Sequence, residues 1–250
     1  IESFLKLSQK ENCQIILTTH TPALAGILPL DSLRLVKKEE GKTEIFSATE
    51  ETYKEITDML GILPEPIPKT SKGILLVEGV DDILFFYHLN KLLKEAKEIK
   101  EMFSENGINV ISTGGCDNLK YWVTKKLVQQ FNLPWAIFLD SDKKNENDIS
   151  KNTKFVDKIS SEGILAFCTR KREIENYLHL ELLKNEFKNL TSIGDYDDIK
   201  KLTRKDIFKK EWEKMTFKYL RERETYIDDK DNTEHFELTE VVKKILNMIK

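Results

Sequence analysis

Long apolar runs are missing from this 250-residue chain, and it has only three cysteines. A helix that spans a bilayer needs roughly 18 to 20 consecutive apolar residues, and no stretch comes close, so no membrane partner is expected. The first ten residues lack the basic, apolar and small-residue order of a secretory signal, and the expected location is the cytoplasm. Cys13, Cys116 and Cys168 are far apart, odd in number and without C-x-x-C spacing. They form neither a disulfide framework nor a zinc site and read as small buried hydrophobes. A strong charge of one sign is also absent: the net charge is −3 although 33% of residues are charged. That balance does not point to nucleic acid, nor does it exclude it, because a protein that holds cations on carboxylates is negative at its centre and can carry its basic residues around it. The chain opens on Ile1 rather than methionine, as expected of a fragment.

What is present is a change of pattern along the chain. A helix over Glu2 to Lys10 is expected to lead into a buried strand, Gln14 to Thr19, and a His20-Thr21-Pro22 turn. A hairpin follows, Ser32 to Lys37 and Glu44 to Phe46 around Gly41. Pro64, Pro66 and Pro68 alternate with other residues and cannot continue a helix, which sets a linker there. Beyond it short apolar runs alternate with helical stretches, the sign of a parallel α/β sheet covered on both faces. The expected strands are Ile74 to Val77, Asn109 to Ser112, Trp135 to Leu139 and Ile164 to Cys168. The expected helices are Asp82 to Met102, Leu119 to Phe131 and Ile149 to Ser160. From Arg172 onward the sequence is helix-rich and charged, and the polar stretch Tyr226 to Glu234 reads as a loop. Three regions result: 1–68, 69–179 and 180–250.

The positions of the acids carry the chemistry. Glu78 follows the first α/β strand, and Asp82 lies four residues on, at the start of a helix. Asp140 and Asp142 follow the third strand. In a parallel sheet the carboxyl ends of the strands share one rim, where ligands of open α/β sheets bind. Carboxylates gathered there repel one another unless a cation sits among them. Mg²⁺ or Mn²⁺, which favour oxygen ligands, would remove the conflict. Glu173 and Glu175 follow the last strand and are further candidates. Taken singly, these acids also read as strand ends, helix caps or an exposed mixed-charge helix start. It is their shared rim that favours a metal site. Lys143, Lys144, Arg170, Lys171 and Arg172 flank the same strand ends, either as grips for phosphates or as plain solubilising charge.

Leu75-Leu76-Val77-Glu78-Gly79 with Asp82, Gly114-Gly115, and Phe138-Leu139-Asp140-Ser141-Asp142 resemble the motifs of a Toprim domain, the fold of type IA and II topoisomerases, bacterial primases and several nucleases. Arg172-Glu173-Ile174-Glu175-Asn176-Tyr177-Leu178 resembles the segment after Toprim in nucleases of the OLD (overcoming lysogenization defect) family and related phage-defence effectors. Gln14 to Pro22 resembles the last core strand and switch histidine of the ABC-type ATPase that precedes Toprim in that family. This would make His20 the ATP-sensing residue. No G-x-x-x-x-G-K-[ST] loop accompanies it, so ATP would act only through an N-terminal portion missing here.

The resemblance implies a metal-dependent endonuclease acting on DNA, with RNA not excluded. It further implies a two-cation site, with Glu78, Asp140 and Asp142 catalytic and holding one ion, and Asp82 with Glu175 or Glu173 holding a second. A homo-oligomer and an accessory defence protein are the partners it suggests. It also implies a cleavage lysine in the C-terminal region; Lys243 and Lys244 lie there, but no local motif singles either out. Two other readings stay open at this point. One is a topoisomerase or primase module, which would want a zinc-binding segment or a tyrosine-bearing cleavage domain. The other is a binding or sensor module with a silent acid site.

Overall fold

A computed structural model describes residues 8, 13–18, 32–39, 42–47, 70–124, 127–184, 187, 190–202, 206–228 and 231–250. The chain divides into two compact units, Ile1–Pro66 and Ile67–Lys250. In the first, strands β1 (Arg34–Glu39) and β2 (Lys42–Ser47) pair antiparallel from Arg34↔Ser47 to Glu39↔Lys42. This is the expected hairpin, two residues longer at the turn end of each strand. Of the expected strand Gln14 to Thr19, the described residues 14–18 have no regular structure, and Ile16 is 80% exposed. An apolar run becomes a buried strand only beside a sheet partner, and none is found for it among the described residues. His20 and the proline linker lie outside the described residues.

The second unit is built on a four-stranded parallel sheet of β3 (Gly73–Val77), β4 (Ile108–Ser112), β5 (Trp135–Leu139) and β6 (Leu165–Cys168), in the order β4-β3-β5-β6. The architecture is α/β and Toprim-like, with further elements on either side. The four expected strands are these, within one residue at each end. Ile74 to Val77 and Ala136 to Leu139 are buried, which is why they read as unbroken apolar runs rather than alternating ones.

Helix α1 (Val80–Glu95) follows β3, α2 (Cys116–Thr124) follows β4, and α3 (Lys151–Ser161) precedes β6. The first is shorter than its expected span to Met102. Lys97 takes a left-handed φ of 62°, its N–H donates to Lys94 O at 3.0 Å, and the Glu98 N–H reaches back to Leu93 O at 2.8 Å. That pair of bonds is the Schellman ending usually made by glycine, and a lysine in that position gives no signal in the sequence.

The strand order positions the site. The chain leaves β3 toward β4 on one side, whereas β5 is followed by β6 on the other. The crevice of such a sheet opens where the two directions part, at the carboxyl ends of β3 and β5. Glu78 and Asp140 stand at those two ends.

The later helices share the sheet's core. α1 contributes Phe85, Phe86, Leu89 and Leu93, and α6 (Asp206–Trp212), α7 (Phe217–Glu224) and α8 (Glu237–Asn247) pack Trp212, Leu220, Leu238, Val242 and Ile245 into the same cluster. Two short helices precede them, α4 (Leu180–Leu183) and α5 (Ile199–Leu202). Phe85 stacks on Trp212 at 4.6 Å between ring centres, and the Trp212 indole N–H donates to Phe85 O at 3.2 Å. Each such side chain contributes about 1.5–3 kcal/mol by leaving water. The expected loop Tyr226 to Glu234 is instead a hairpin of β7 (Thr225–Ile227) and β8 (Glu234–Phe236), closed by Asp228 N–H to Thr233 O at 3.1 Å. Among the described residues no helix is long and apolar enough to cross a membrane.

Candidate metal centre

Glu78 is the first residue past β3. Its backbone carbonyl accepts from the Gly115 N–H at 2.7 Å and the Ser112 hydroxyl at 3.3 Å. Gly114 and Gly115 have φ of 78° and 125°, and this turn lets the Gly115 N–H meet the end of β3. Gly79 opens α1, and its N–H donates to Asp82 Oδ2 at 2.7 Å, which fixes that buried carboxylate beside Glu78. Glu78 Oε1 in turn accepts from the Asp140 N–H at 3.3 Å, so the ends of β3 and β5 are joined through a site residue.

Asp140 is buried, with Oδ1 accepting from the Ile174 N–H at 2.8 Å. Asp140 and Asp142 lie beyond the strand, because β5 stops at Leu139, and Asp142 has a left-handed φ of 55°. Ser141 anchors the turn: its N–H donates to Thr169 Oγ1 at 2.8 Å and its hydroxyl donates to Lys171 O at 2.5 Å. The Asp142 N–H donates to Arg172 O at 2.8 Å, and Asp142 Oδ2 accepts from Asn152 Nδ2 at 2.9 Å.

Glu173 and Glu175 flank Ile174 at the 3₁₀ turn Ile174–Tyr177, and both are buried. Asn176 ties this turn to the segment that follows, donating to Gly194 O at 2.8 Å and Asp197 O at 3.0 Å. Asp140, Glu173 and Glu175 each offer a carboxylate oxygen within 4.8 Å of the other two. The amine of Lys200, from α5, lies 3.4 Å from Asp140, 3.1 Å from Glu173 and 3.4 Å from Glu175.

The electrostatics follow from the crowding. Burial, with the charges of Asp140 and Asp142 behind it, pushes the Glu78 carboxyl up to about 7. Burial likewise raises Asp140 to about 6 against the pull of Lys200, and Glu175 to about 8 with Asp140 adding to the rise. Asp82 is raised by burial and then by Asp140. Burial opposes the charge on Lys200, yet Asp140, Glu175 and Glu173 outweigh it and hold the amine protonated well above the usual lysine range. A single ammonium does not neutralise this many carboxyls. Glu175 Oε2 is buried without a hydrogen bond. An all-carboxylate donor set, with one buried oxygen that makes no hydrogen bond and is only ion-paired to Lys200 at 3.4 Å, fits a hard divalent cation.

The expected acids therefore meet at one rim, while three of the five expected basic residues are taken up in ion pairs. Arg170 and Lys171 are ion-paired to Asp195 at 2.8 and 2.5 Å, and Arg172 to Asp198 at 3.1 Å. Lys171 is buried, and that burial lowers its amine to about 8. Lys143 is half-buried and Lys144 exposed. Of the C-terminal lysines, Lys243 pairs with Glu98 at 2.8 Å. Lys200, which meets three of the acids, carries no local motif; only the implied C-terminal lysine pointed toward its region.

A Toprim-like sheet with acids on its carboxyl rim is the class that fold and site define. Residues 70–142 match the family described as Overcoming lysogenization defect protein-like, TOPRIM domain, and this stretch of the chain is an OLD-like Toprim domain. Among solved structures the chain is similar to the C-terminal region of the Burkholderia pseudomallei OLD protein, with 12% identity, a TM-score of 0.44, and coverage of 72% of this chain and 99% of that one. It is also similar to the C-terminal region of the Xanthomonas campestris pv. campestris OLD protein, with 13% identity, a TM-score of 0.40, and coverage of 73% and 95%. No curated protein matches the sequence.

Proposed function

We propose that this chain is the Toprim part of an OLD-type ATPase-nuclease and hydrolyses phosphodiester bonds in DNA with Mg²⁺ or Mn²⁺. The observation that carries the reading is the meeting of Glu78 and Asp140 with Glu173 and Glu175, from three separate stretches of chain, at the crevice of a parallel sheet. Glu78, Asp140 and Asp142 would hold one ion, and Asp82 with Glu175 or Glu173 a second. When bound, the ions supply Lewis acidity toward the scissile phosphate and its attacking water.

The chain's own residues have separate tasks. Asp140, central to the cluster, is fixed by Ile174 and orients the rest. Glu78 is raised to about 7 by burial and its acidic neighbours, and an ion bound there would favour its ionised carboxylate. Lys200, half exposed and cationic, supports the charge of the acids and faces an approaching phosphate as a donor. Lys143 and Lys144 position the DNA backbone without reading its sequence. Control by ATP, a role in defence against foreign DNA, and self-assembly belong to this reading as expectations from the family.

One observation favours a second reading. Lys200 is itself a counter-ion for Asp140, Glu173 and Glu175, so the cluster could be a permanent salt-bridge hub in a silent binding module. Two experiments separate the readings. In the first, supercoiled plasmid is incubated with Mn²⁺ and wild type, Glu78→Ala or Asp140→Ala; nicking by wild type alone supports the nuclease. In the second, Mn²⁺ is titrated calorimetrically into wild type and Lys200→Met. Binding in both supports a metal centre, and binding in neither leaves the hub.

A further inference from the structure

The carboxamide of Asn152, on α3, is buried and uses its whole hydrogen-bonding capacity next to the acids. Nδ2 donates to Asp140 O at 2.8 Å and to Asp142 Oδ2 at 2.9 Å. Oδ1 accepts from Lys120 Nζ at 2.6 Å and from the Cys116 thiol at 3.2 Å. An amide can often be turned end for end with little loss, but this one cannot. An ammonium only donates, so the oxygen must face Lys120, and a carboxylate and a carbonyl only accept, so the nitrogen must face the acids. Lys120 comes from α2 and lies over the Phe155 ring, 5.8 Å from its centre, one turn along α3 from Asn152.

We infer that Asn152 is a positioning residue for the Asp140/Asp142 pair and that Lys120 locks it in the orientation that does so. The inference rests on the proposed metal centre for its purpose, and on this hydrogen-bond set for its geometry. Asp142 stands past the end of β5 in a left-handed conformation, where no strand ladder holds it. Its carboxylate is held by Asn152, and the same amide fastens the carbonyl of Asp140. The amide also brings the influence of a lysine to Asp142 without placing an ammonium there. The Lys120 charge polarises the carboxamide and strengthens its N–H donors, while Nζ itself stays at the far end and does not occupy a cation's position. Outer partners that orient ligating carboxylates commonly change metal affinity about 10- to 100-fold when altered.

The substitution Asn152→Asp tests this with almost no change of shape. The Lys120 end becomes an ion pair, so the packing of α2 on α3 is kept, while the end facing Asp142 changes from donor to like charge. Lys120→Met and Lys120→Arg form the companion pair, the arginine able to restore a donor to Oδ1. The first readout needs no metal: amide hydrogen exchange in EDTA. Exchange is expected to quicken over residues 140–144 in Asn152→Asp and Lys120→Met, with Lys120→Arg close to wild type and the rest of the sheet unchanged. The second readout is Mn²⁺ affinity by calorimetry, expected to fall at least tenfold in the first two variants and to recover in the third. Unchanged exchange over 140–144, or wild-type Mn²⁺ affinity in Asn152→Asp, overturns the inference. If wild type binds no Mn²⁺ while the 140–144 loop still loosens in the variants, the metal reading falls and the positioning role stands.

Discussion

Without metal, the second unit should become less stable as pH rises from 5 to 8, opposite to a protein held together by exposed salt bridges. Glu78 is raised from 4.5 to about 7 by burial and then by Asp140 and Asp142. Glu175 is raised from 4.5 to about 8, and Asp140 from 3.8 to about 6. In this window the folded state binds more protons than the unfolded chain, so the slope of unfolding free energy with pH is negative. The stabilisation is present below the unfolded values and lost as pH climbs through the folded ones. Glu78 alone corresponds to about 3 kcal/mol at 1.36 kcal/mol per pH unit. The three groups share neighbours, so their effects do not add in full. Lys171, lowered to about 8 by burial, acts in the opposite sense and only toward the alkaline end. The assay is urea unfolding in EDTA at pH 5 and pH 8 for wild type and Glu175→Gln. Wild type should lose on the order of 3 kcal/mol or more across the window, the glutamine variant less, and excess Mg²⁺ should flatten the wild-type dependence by favouring the ionised carboxylates. Equal or greater wild-type stability at pH 8 in EDTA would refute the reasoning.

Gly115→Ala forces a side chain to φ 125° at the turn that grips Glu78, and should cost on the order of 1–3 kcal/mol in thermal unfolding while weakening Mn²⁺ binding. Trp212→Ala empties the contact with Phe85 and should destabilise the second unit by about 3–5 kcal/mol in urea, a loss that would be small if the C-terminal helices did not share the sheet's core. Lys143→Ala and Lys144→Ala should weaken DNA binding alike for all sequences, each lowering the slope of log affinity against log salt by about 1, as measured by fluorescence anisotropy across a salt series.

How much of this was legible in the sequence depended on the range of the forces involved. Strands β3 to β6 were readable because each is a short apolar run enclosed on both faces. The acids at their ends were readable because parallel topology sends every carboxyl end to one rim. Glu173 and Glu175 could be named as candidates, but their burial with Asp140 depends on Asn176 pulling in the segment around Gly194 and Asp197, which no local pattern announces. Lys200 is 60 residues from Asp140 and meets it only through that fold. The same holds for Asn152, which reads locally as an unremarkable polar residue in an amphipathic helix. Arg170, Lys171 and Arg172 read equally as a phosphate grip or as solubilising charge, and their ion pairs with Asp195 and Asp198 arise from contacts more than twenty residues away. The β7–β8 hairpin was hidden by charged turn residues between two runs of three.

Anomalous diffraction from crystals of the protein soaked in Mn²⁺ goes most directly to the central claim. The account predicts a peak coordinated by Asp140 together with Glu78, Glu173 or Glu175, with the Lys200 amine displaced from at least one of them, and no peak in Asp140→Asn crystals. A map with no manganese among these carboxylates, and Lys200 still bridging all three of its partners, would contradict it.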